Sequence, residues 1–368
     1  MTLQSDPLAS VVMAVFNGER FLREAMESIL SQTFRDFEFI IIDDGSTDRT
    51  ASILAEHERS DPRVRVYHQQ NRGIAESGNR GCRRARGRYI LRMDQDDVSV
   101  PERLERQAGF LEKNPEVGLL GGAFEAIDEQ GRQVFVDRPP LEDGPIRAAF
   151  RSLSYPMCHP AVAMRKQAFD ATGGYRAQFL HGAEDYDLFL RIIESWKVAN
   201  LPEVVLRKRV HSNQASVAHL GQSTLYLLAA HALAAARERG SAEPPFDGPV
   251  ISEGYLEKLG ISQAERLGAL ANTYLYYIDY MSQASQGGEA LRLVDELMAL
   301  AKSGPVNKTN LSDAMLWAAR IHYRHGRPVR ALECLARALR IRPEVAGRPL
   351  KRAVNSIFRK SQAQAGRA

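Results

Sequence analysis

The residues best placed to do chemistry lie in the stretch Arg88–Arg103, RYILRMDQDDVSVPER. A short β-prone run, Tyr89-Ile90-Leu91, leads into three carboxylates, Asp94, Asp96 and Asp97. Like charges held this close repel, and each raises the pKa of the others. A bound divalent cation relieves that repulsion, and Mg²⁺ is commonly held by carboxylates together with substrate phosphates. Strand alternation would set Asp94 and Asp96 on one side of the segment and Asp97 on the other. The cluster reads as a D-x-D metal site that holds a diphosphate. The competing reading is a solvated acidic loop in which Asp97 caps a helix starting near Pro101.

Such a cluster needs elements to position it. Ser10–Phe16, SVVMAVF, is short, apolar and valine-rich, as expected of a buried strand. Asn17-Gly18 is a turn signal, and Glu19–Gln32 carries a helical stripe at Phe21, Leu22, Ala25, Ile29 and Leu30. Phe37–Ile42, FEFIII, is a second strand ending at Asp43-Asp44, and Thr50–Arg59 is a helix. Val64–His68, Ile74–Arg86 and Tyr89–Met93 continue as strand, helix and strand. The order β-α-β-α-β-α-β, with long crossovers, predicts a mostly parallel sheet flanked by helices. Ligands bind such open sheets at the carboxyl ends of the strands. Asn17, Asp43, Asp44 and Asp94 to Asp97 all fall there. Two nucleotide sites are excluded, because neither G-x-G-x-x-G after the first strand nor G-x-x-x-x-G-K-[ST] occurs.

The chain resembles the family 2 glycosyltransferases, with their Rossmann-like GT-A fold. The resemblance rests on SVVMAVFNGERFLREAMESILSQTF, FEFIIIDDGSTDRT, NRGIAESGNRGCRRARGRYI, MDQDDVSVPERL, HPAVAMRKQAFDATGGY and AEDYDLFLR, in that order over roughly residues 8–215. It implies a nucleotide-sugar donor, a UDP-sugar foremost, a Mn²⁺ or Mg²⁺ ion, and transfer with inversion at the anomeric carbon. Carried over by position, Asp44 resembles the carboxylate that contacts the donor base. Asp94 resembles the first D-x-D acid, near the donor ribose or the metal. Asp96 resembles the metal ligand, with Asp97 assisting. Arg72 and Asn79 fall where relatives line the donor pocket. Phe16 and Asn17 end the first strand. The family often has tyrosine where Phe16 stands, so a ring is kept for packing on the base and the hydroxyl is lost.

Inverting transfer needs a general base to take the acceptor hydroxyl proton. By resemblance Asp185 is that base, at a helix start in Gly182-Ala183-Glu184-Asp185-Tyr186-Asp187. Glu184 then contacts the acceptor or orients Asp185, Asp187 supports the helix N-terminus, and Arg191 pairs with an acid one turn earlier. His159 falls on the acceptor side. In Arg207-Lys208-Arg209-Val210-His211, the resemblance makes His211 a ligand to the metal or a donor to the diphosphate, and Lys208 and Arg209 diphosphate donors. Capping acids, a strand-start histidine and a basic surface loop are the structural alternatives for these positions.

Length fits about two domains. With 26% charged and 44% hydrophobic residues, the composition is that of a water-soluble globular chain. No apolar run is long enough to span a bilayer. The N-terminus lacks the basic region of a signal peptide, and Cys82, Cys158 and Cys334 fit reduced thiols. Both point to the cytoplasm. The expected division is a transferase domain at 1–218 and an α-helical domain at 219–368. The pair at 312–345 has tetratricopeptide-like spacing at Ala331, Leu335, Ala338 and Pro343. From Arg320 onward, thirteen Lys or Arg face only Glu333 and Glu344, so the rest of the chain is net acidic. A basic end suggests an anionic partner, a membrane surface or nucleic acid, and the competing reading is a solvated helix face with extra arginines. Joined to the family resemblance, the basic end favours a peripheral contact at the inner face of the plasma membrane, or with a protein, over nucleic acid. The acceptor expected is a glycan or lipid-linked hydroxyl in surface polysaccharide synthesis. A nucleotidyltransferase would need a glycine- and lysine-rich loop after the first strand, which is missing. A helical-repeat scaffold with an inactive transferase domain would have lost acids that are present at Asp44, Asp96 and Asp185.

Overall fold

The computed structural model describes residues 6–211, 214–304 and 306–346. Its contacts divide the chain into two compact units, Met1–Ile261 and Ser262–Ala368. The first unit opens with β1 (Ala9–Val15), α1 (Leu22–Leu30), β2 (Phe37–Asp43), α2 (Thr50–Ser60), β3 (Val64–His68), α3 (Ile74–Arg84) and β4 (Tyr89–Met93). β5 (Val98–Ser99), α4 (Arg103–Lys113), β6 (Val117–Ile127), β7 (Gln133–Asp137) and α5 (Asp143–Arg151) follow. A 3-10 turn at His159–Ala161 then leads to β8 (Ala163–Arg165), α6 (Lys166–Thr172), α7 (Glu184–Ile193) and β9 (Lys197–Arg209). The unit closes with α8 (Ala215–Ala218), α9 (Leu220–Glu238) and α10 (Glu253–Lys258).

One mixed sheet runs β3-β2-β1-β4-β8-β6-β9-β5, with β7 beside β6. The expected parallel β-α-β order is present, with β3, β2, β1 and β4 all parallel. β1 is buried but for Ala14, and every residue of β2 and β4 is buried. That is the mark of a sheet covered on both faces, and it explains why these strands read as continuous apolar runs. Their register aligns Val15 with Asp43 and Met13 with Met93. The chain therefore leaves β1 at Phe16-Asn17, β2 at Asp44 and β4 at Asp94 along one edge. α3 lies so close to β1 that a Cβ on Gly81 would meet Val12 Cγ1 at 2.4 Å. A Gly81→Ala variant should lose about 1–3 kcal/mol of stability through overpacking, measured by urea unfolding.

The structure departs from the expected reading at Asp97. Residues after Asp94 turn instead of continuing as a strand, so alternation no longer separates the acids. Two-residue β5 then pairs antiparallel with the end of β9, Val98 opposite Arg207. That pairing pulls the acidic loop against Arg209 and His211. Asp97 does not cap the following helix, since its Oδ1 accepts from the Arg209 backbone N–H at 2.8 Å.

The expected boundary lay at residue 218, whereas α9 packs on α7 inside the first unit. The second unit holds α11 (Gln263–Gln283), α12 (Gly287–Ser303), α13 (Lys308–Arg324) and α14 (Pro328–Ile341). Ser262 and Glu265 form a capping box at the start of α11. α13 and α14 turn at Gly326, whose φ of 70° is a conformation that glycine adopts readily, and pack through buried Ala331 and Ala338. The last part of the basic C-terminal segment, residues 347–368 with six of its thirteen Lys or Arg, lies outside the described residues. No helix among the described residues is long and apolar enough to cross a membrane.

Candidate active site

The acidic loop supplies the centre of the site. One carboxylate oxygen from each of Asp94, Asp96 and Asp97 lies within 4.8 Å of the others. Each acid has a different partner. Arg92 Nη2, on an almost fully buried side chain, sits 2.9 Å from Asp94 Oδ1. His211 Nε2 is 2.8 Å from Asp96 Oδ2. Asp97 is bound only through Oδ1, and its Oδ2 is buried without a hydrogen-bond partner among the described residues. Burial pushes the Asp97 carboxyl well above the usual range, and the Asp96 and Asp94 charges push it further. Asp94 is raised by burial too, with the Arg92 charge opposing. An orphaned oxygen beside two further carboxylates fits a hard divalent cation, with Asp94, Asp96 and Asp97 as oxygen donors and His211 adjacent.

Two strand ends flank this centre. Gln95 clamps Phe16 from both sides, accepting from its N–H at 2.8 Å and donating to its carbonyl at 3.1 Å. Phe16 is 45% exposed, which leaves room for a planar group to lie on its ring. Asn17 takes a left-handed φ of 48°, tolerated by asparagine. Its N–H donates to Ser46 Oγ, and its Oδ1 accepts from Thr47 N–H. Asp44 is buried and accepts from Gln69 Nε2 and from the backbone N–H groups of Arg72 and Gly73.

Facing the acidic loop is the start of α7. Gly182 and Ala183 both take positive φ, 121° and 59°, and so turn the chain into Glu184 and Asp185. Asp185 Oδ1 accepts from the Tyr186 N–H at 2.8 Å. Burial pushes Asp185 up to about 6 and Glu184 up to about 8. The Asp94 charge raises both, which places the two acidic groups within electrostatic reach of each other. His159 Nδ1 lies 3.9 Å from both Glu184 Oε1 and Asp185 Oδ2. Asp187 is fully buried and pairs with Arg191 at 2.6 Å, as its spacing implied. The Lys208 charge draws Asp94, Asp97 and Asp185 down together, so one cation serves both sides of the site.

Three of the expected residues are occupied differently. Both amide atoms of Asn79 engage the Tyr175 backbone, one donating and one accepting, each at 2.8 Å. Arg72 meets Asp44 through its backbone, and its side chain is exposed. The Arg209 guanidinium reaches the carbonyls of Asp96, Asp128 and Glu129 and the Glu24 carboxylate, and stacks 4.6 Å over Phe21. Four of its five N–H groups are thereby used, which makes it the fastener of the acidic loop. Arg209→Ala should destabilise the fold by at least about 2 kcal/mol, because several acceptors lose their donor. Arg209→Lys should restore little of this, since one ammonium cannot span those acceptors. Thermal melts check both.

Residues without an assignment also matter. Buried Arg103 donates to the Arg92 carbonyl at 2.7 Å and is itself lowered to about 10 by burial. Arg92 pairs with Asp94, and Arg103 holds the Arg92 carbonyl, which braces the strand end that carries the acids. An arginine inside the apolar run YILRM was the available signal for Arg92.

Known proteins place this geometry. The family profile for glycosyl transferase family 2 matches residues 10–173. The putative glycosyltransferase EpsE of Bacillus subtilis is 36% identical over 215 residues, 57% of this chain and 76% of EpsE. The amylovoran biosynthesis glycosyltransferase AmsE of Erwinia amylovora is 33% identical over 208 residues, 55% of this chain and 77% of AmsE. Among solved structures, S. aureus TarS 1–349 in complex with UDP-GlcNAc superposes with a TM-score of 0.53 at 17% identity, covering 89% of this chain and 90% of TarS 1–349. By these relationships the chain belongs to the family 2 glycosyltransferases, a sugar-transferring enzyme built on the GT-A fold.

Proposed function

We propose that the chain transfers a sugar from a nucleotide-diphosphate donor to a hydroxyl of a glycan or lipid-linked acceptor in polysaccharide synthesis, with inversion and with a divalent cation. The observation that carries the reading is the orphaned Asp97 Oδ2 in a three-carboxylate cluster that faces a second, raised carboxylate, Asp185. The name of AmsE supports the acceptor class, and the ligand of TarS supports the donor class.

Asp94, Asp96 and Asp97 would hold Mn²⁺ or Mg²⁺, with His211 keeping Asp96 oriented. Such an ion neutralises the charge that develops on a departing diphosphate. Lys208 adds a cation on the same side. Asp44 and the Phe16 ring flank the base of the donor, the one as a hydrogen-bond acceptor and the other as an apolar face. Asp185 takes the acceptor proton as the acceptor oxygen attacks, and Glu184 stays protonated at neutral pH beside it. His159 lies on this acceptor side.

Isothermal titration of UDP, GDP and dTDP, each with and without Mn²⁺, tests the donor site. Binding of one nucleotide only in the presence of metal is expected. Binding that ignores the metal would remove Asp96 and Asp97 from the ligand role. No binding by a folded protein would favour the scaffold reading.

A further inference from the structure

Beside the carboxyl pair of α7 lies a chain of contacts that sugar transfer does not by itself require. Asn79, buried on α3, grips the Tyr175 backbone by both N–H and carbonyl. Two glycines make room for this grip. A Cβ on Gly78 would meet the Tyr175 ring at 2.9 Å, and one on Gly174 would meet Asn79 Oδ1 at 2.4 Å. Phe169 and His159 hold the ring edge-on, at centroid distances of 5.8 and 5.7 Å. Tyr175 is thereby fixed in backbone and ring, and its Oη lies 2.9 Å from His159 Nε2. The other ring nitrogen of His159 is equidistant from Glu184 Oε1 and Asp185 Oδ2.

We infer that Asn79, Tyr175 and His159 form a fixed relay that presents an Nδ1–H to the Glu184–Asp185 pair and so orients and tunes the base. The inference rests on the reading of Asp185 as that base and adds positioning residues to it. The proton assignment follows from the neighbours. Among the described residues, carboxyl groups lie against His159 on the Nδ1 side alone, so the Nδ1–H tautomer gains there, and Nε2 is left to accept from the Tyr175 hydroxyl. Burial holds His159 well below its usual pKa and Tyr175 well above, so the ring stays neutral and the phenol keeps its proton. At 3.9 Å the Nδ1 contacts are longer than hydrogen bonds. At that distance the N–H acts on both carboxyls as an aimed dipole, with no substrate needed. The equal distances let one small ring movement choose either carboxyl.

The sign of the effect is fixed. An N–H aimed at a carboxylate favours its charged form and lowers its pKa. His159 therefore holds Asp185 below the value burial alone would impose. The other charged groups acting on the pair are Arg92 from β4, Asp94 from the loop that follows it and Lys208 from β9, and all three remain when His159 is changed.

The test uses the full chain and needs no substrate. Side-chain ¹⁵N-histidine NMR should show His159, assigned with His159→Gln, as a neutral Nδ1–H tautomer across the neutral range. Tyr175→Phe should give mixed tautomers. Carboxyl ¹³C titration of Asp185, assigned with Asp185→Asn, should move up by about one pH unit in His159→Ala. His159→Gln, which keeps an amide donor, should recover most of that shift. A folded His159→Ala with an unmoved Asp185 midpoint would overturn the inference, as would an Nε2–H tautomer in the parent protein. If His159→Ala does not fold, the near-isosteric Tyr175→Phe decides by the tautomer readout. Failure of the transferase reading would appear separately, as absent nucleotide binding with these titrations intact.

Discussion

Asp185→Asn is expected to lower kcat by about 10²–10⁴-fold, the range that a positioned proton acceptor contributes, while nucleotide binding is unchanged. The amide keeps the volume and can still accept from the Tyr186 N–H, so the start of α7 is preserved. What is lost is the lone pair that takes the acceptor proton. The pH profile of the parent gives the second half of the test. A base works only when unprotonated, so kcat should fall as pH drops through about 6, to which burial raises Asp185. Glu184, raised to about 8, holds its proton through neutrality. Two carboxyls this close lose their protons in steps that belong to the pair, so the measured limb describes both. Stability runs the opposite way. A carboxyl whose folded pKa lies above its unfolded value stabilises the fold below the unfolded value, and that stability is lost as pH rises through the folded one. Asp185→Asn should therefore melt no lower than the parent at neutral pH. A variant with normal kcat would remove Asp185 from the base role.

How much of this was legible in the sequence depended on whether a residue's role was set locally. Asp44 and Asp94 could be placed because FEFIIID and YILRM are buried on both faces, and apolar runs of that kind belong to parallel strands. Once the strands are parallel, their carboxyl ends share an edge. The Asp187–Arg191 pair followed from helical spacing alone. Asp97 was misplaced because alternation holds only while a strand continues, and here the chain turns after Asp94. The two-residue strand that pins the turn is too short to leave a pattern in the sequence. Arg209 and Asn79 show a different limit. Their chemistry permits ligand contact, and only the tertiary structure shows that their donors already meet the Asp96 carbonyl and the Tyr175 backbone. Tyr175 lies almost a hundred residues from the Asn79 that holds it, so no local signal could have joined them.

Asp97→Asn should have opposite effects on the metal-free and the metal-loaded protein. Without metal, the parent confines a buried carboxylate oxygen that lacks a partner, beside Asp94 and Asp96. Burial first, then the charges of Asp96 and Asp94, raise its pKa well above the ordinary range. Ionising it therefore opposes folding, and stability should fall as pH rises out of the acid range. An asparagine keeps the oxygen that accepts from the Arg209 N–H and turns an amide donor towards the two remaining acids. The metal-free melting temperature should rise, and its decline with increasing pH should flatten. With metal the order reverses. A ligand that binds only the folded state raises the melting temperature by mass action. The parent should gain stability from Mn²⁺, whereas Asp97→Asn should gain little. Metal-coupled nucleotide affinity should drop by at least the roughly 10–100-fold that changes around a metal's ligands bring. Glu102→Gln, at a half-exposed acid near the same loop, serves as the control and should leave both responses in place. Should Asp97→Asn keep the full Mn²⁺ response, the orphaned oxygen is not a ligand, and the cation would have to be held by Asp94 and Asp96 alone. Should it melt lower than the parent without metal, the like-charge argument for the cluster fails, because the substitution removes one negative charge and one unpaired buried oxygen while the hydrogen bond to the Arg209 N–H can persist.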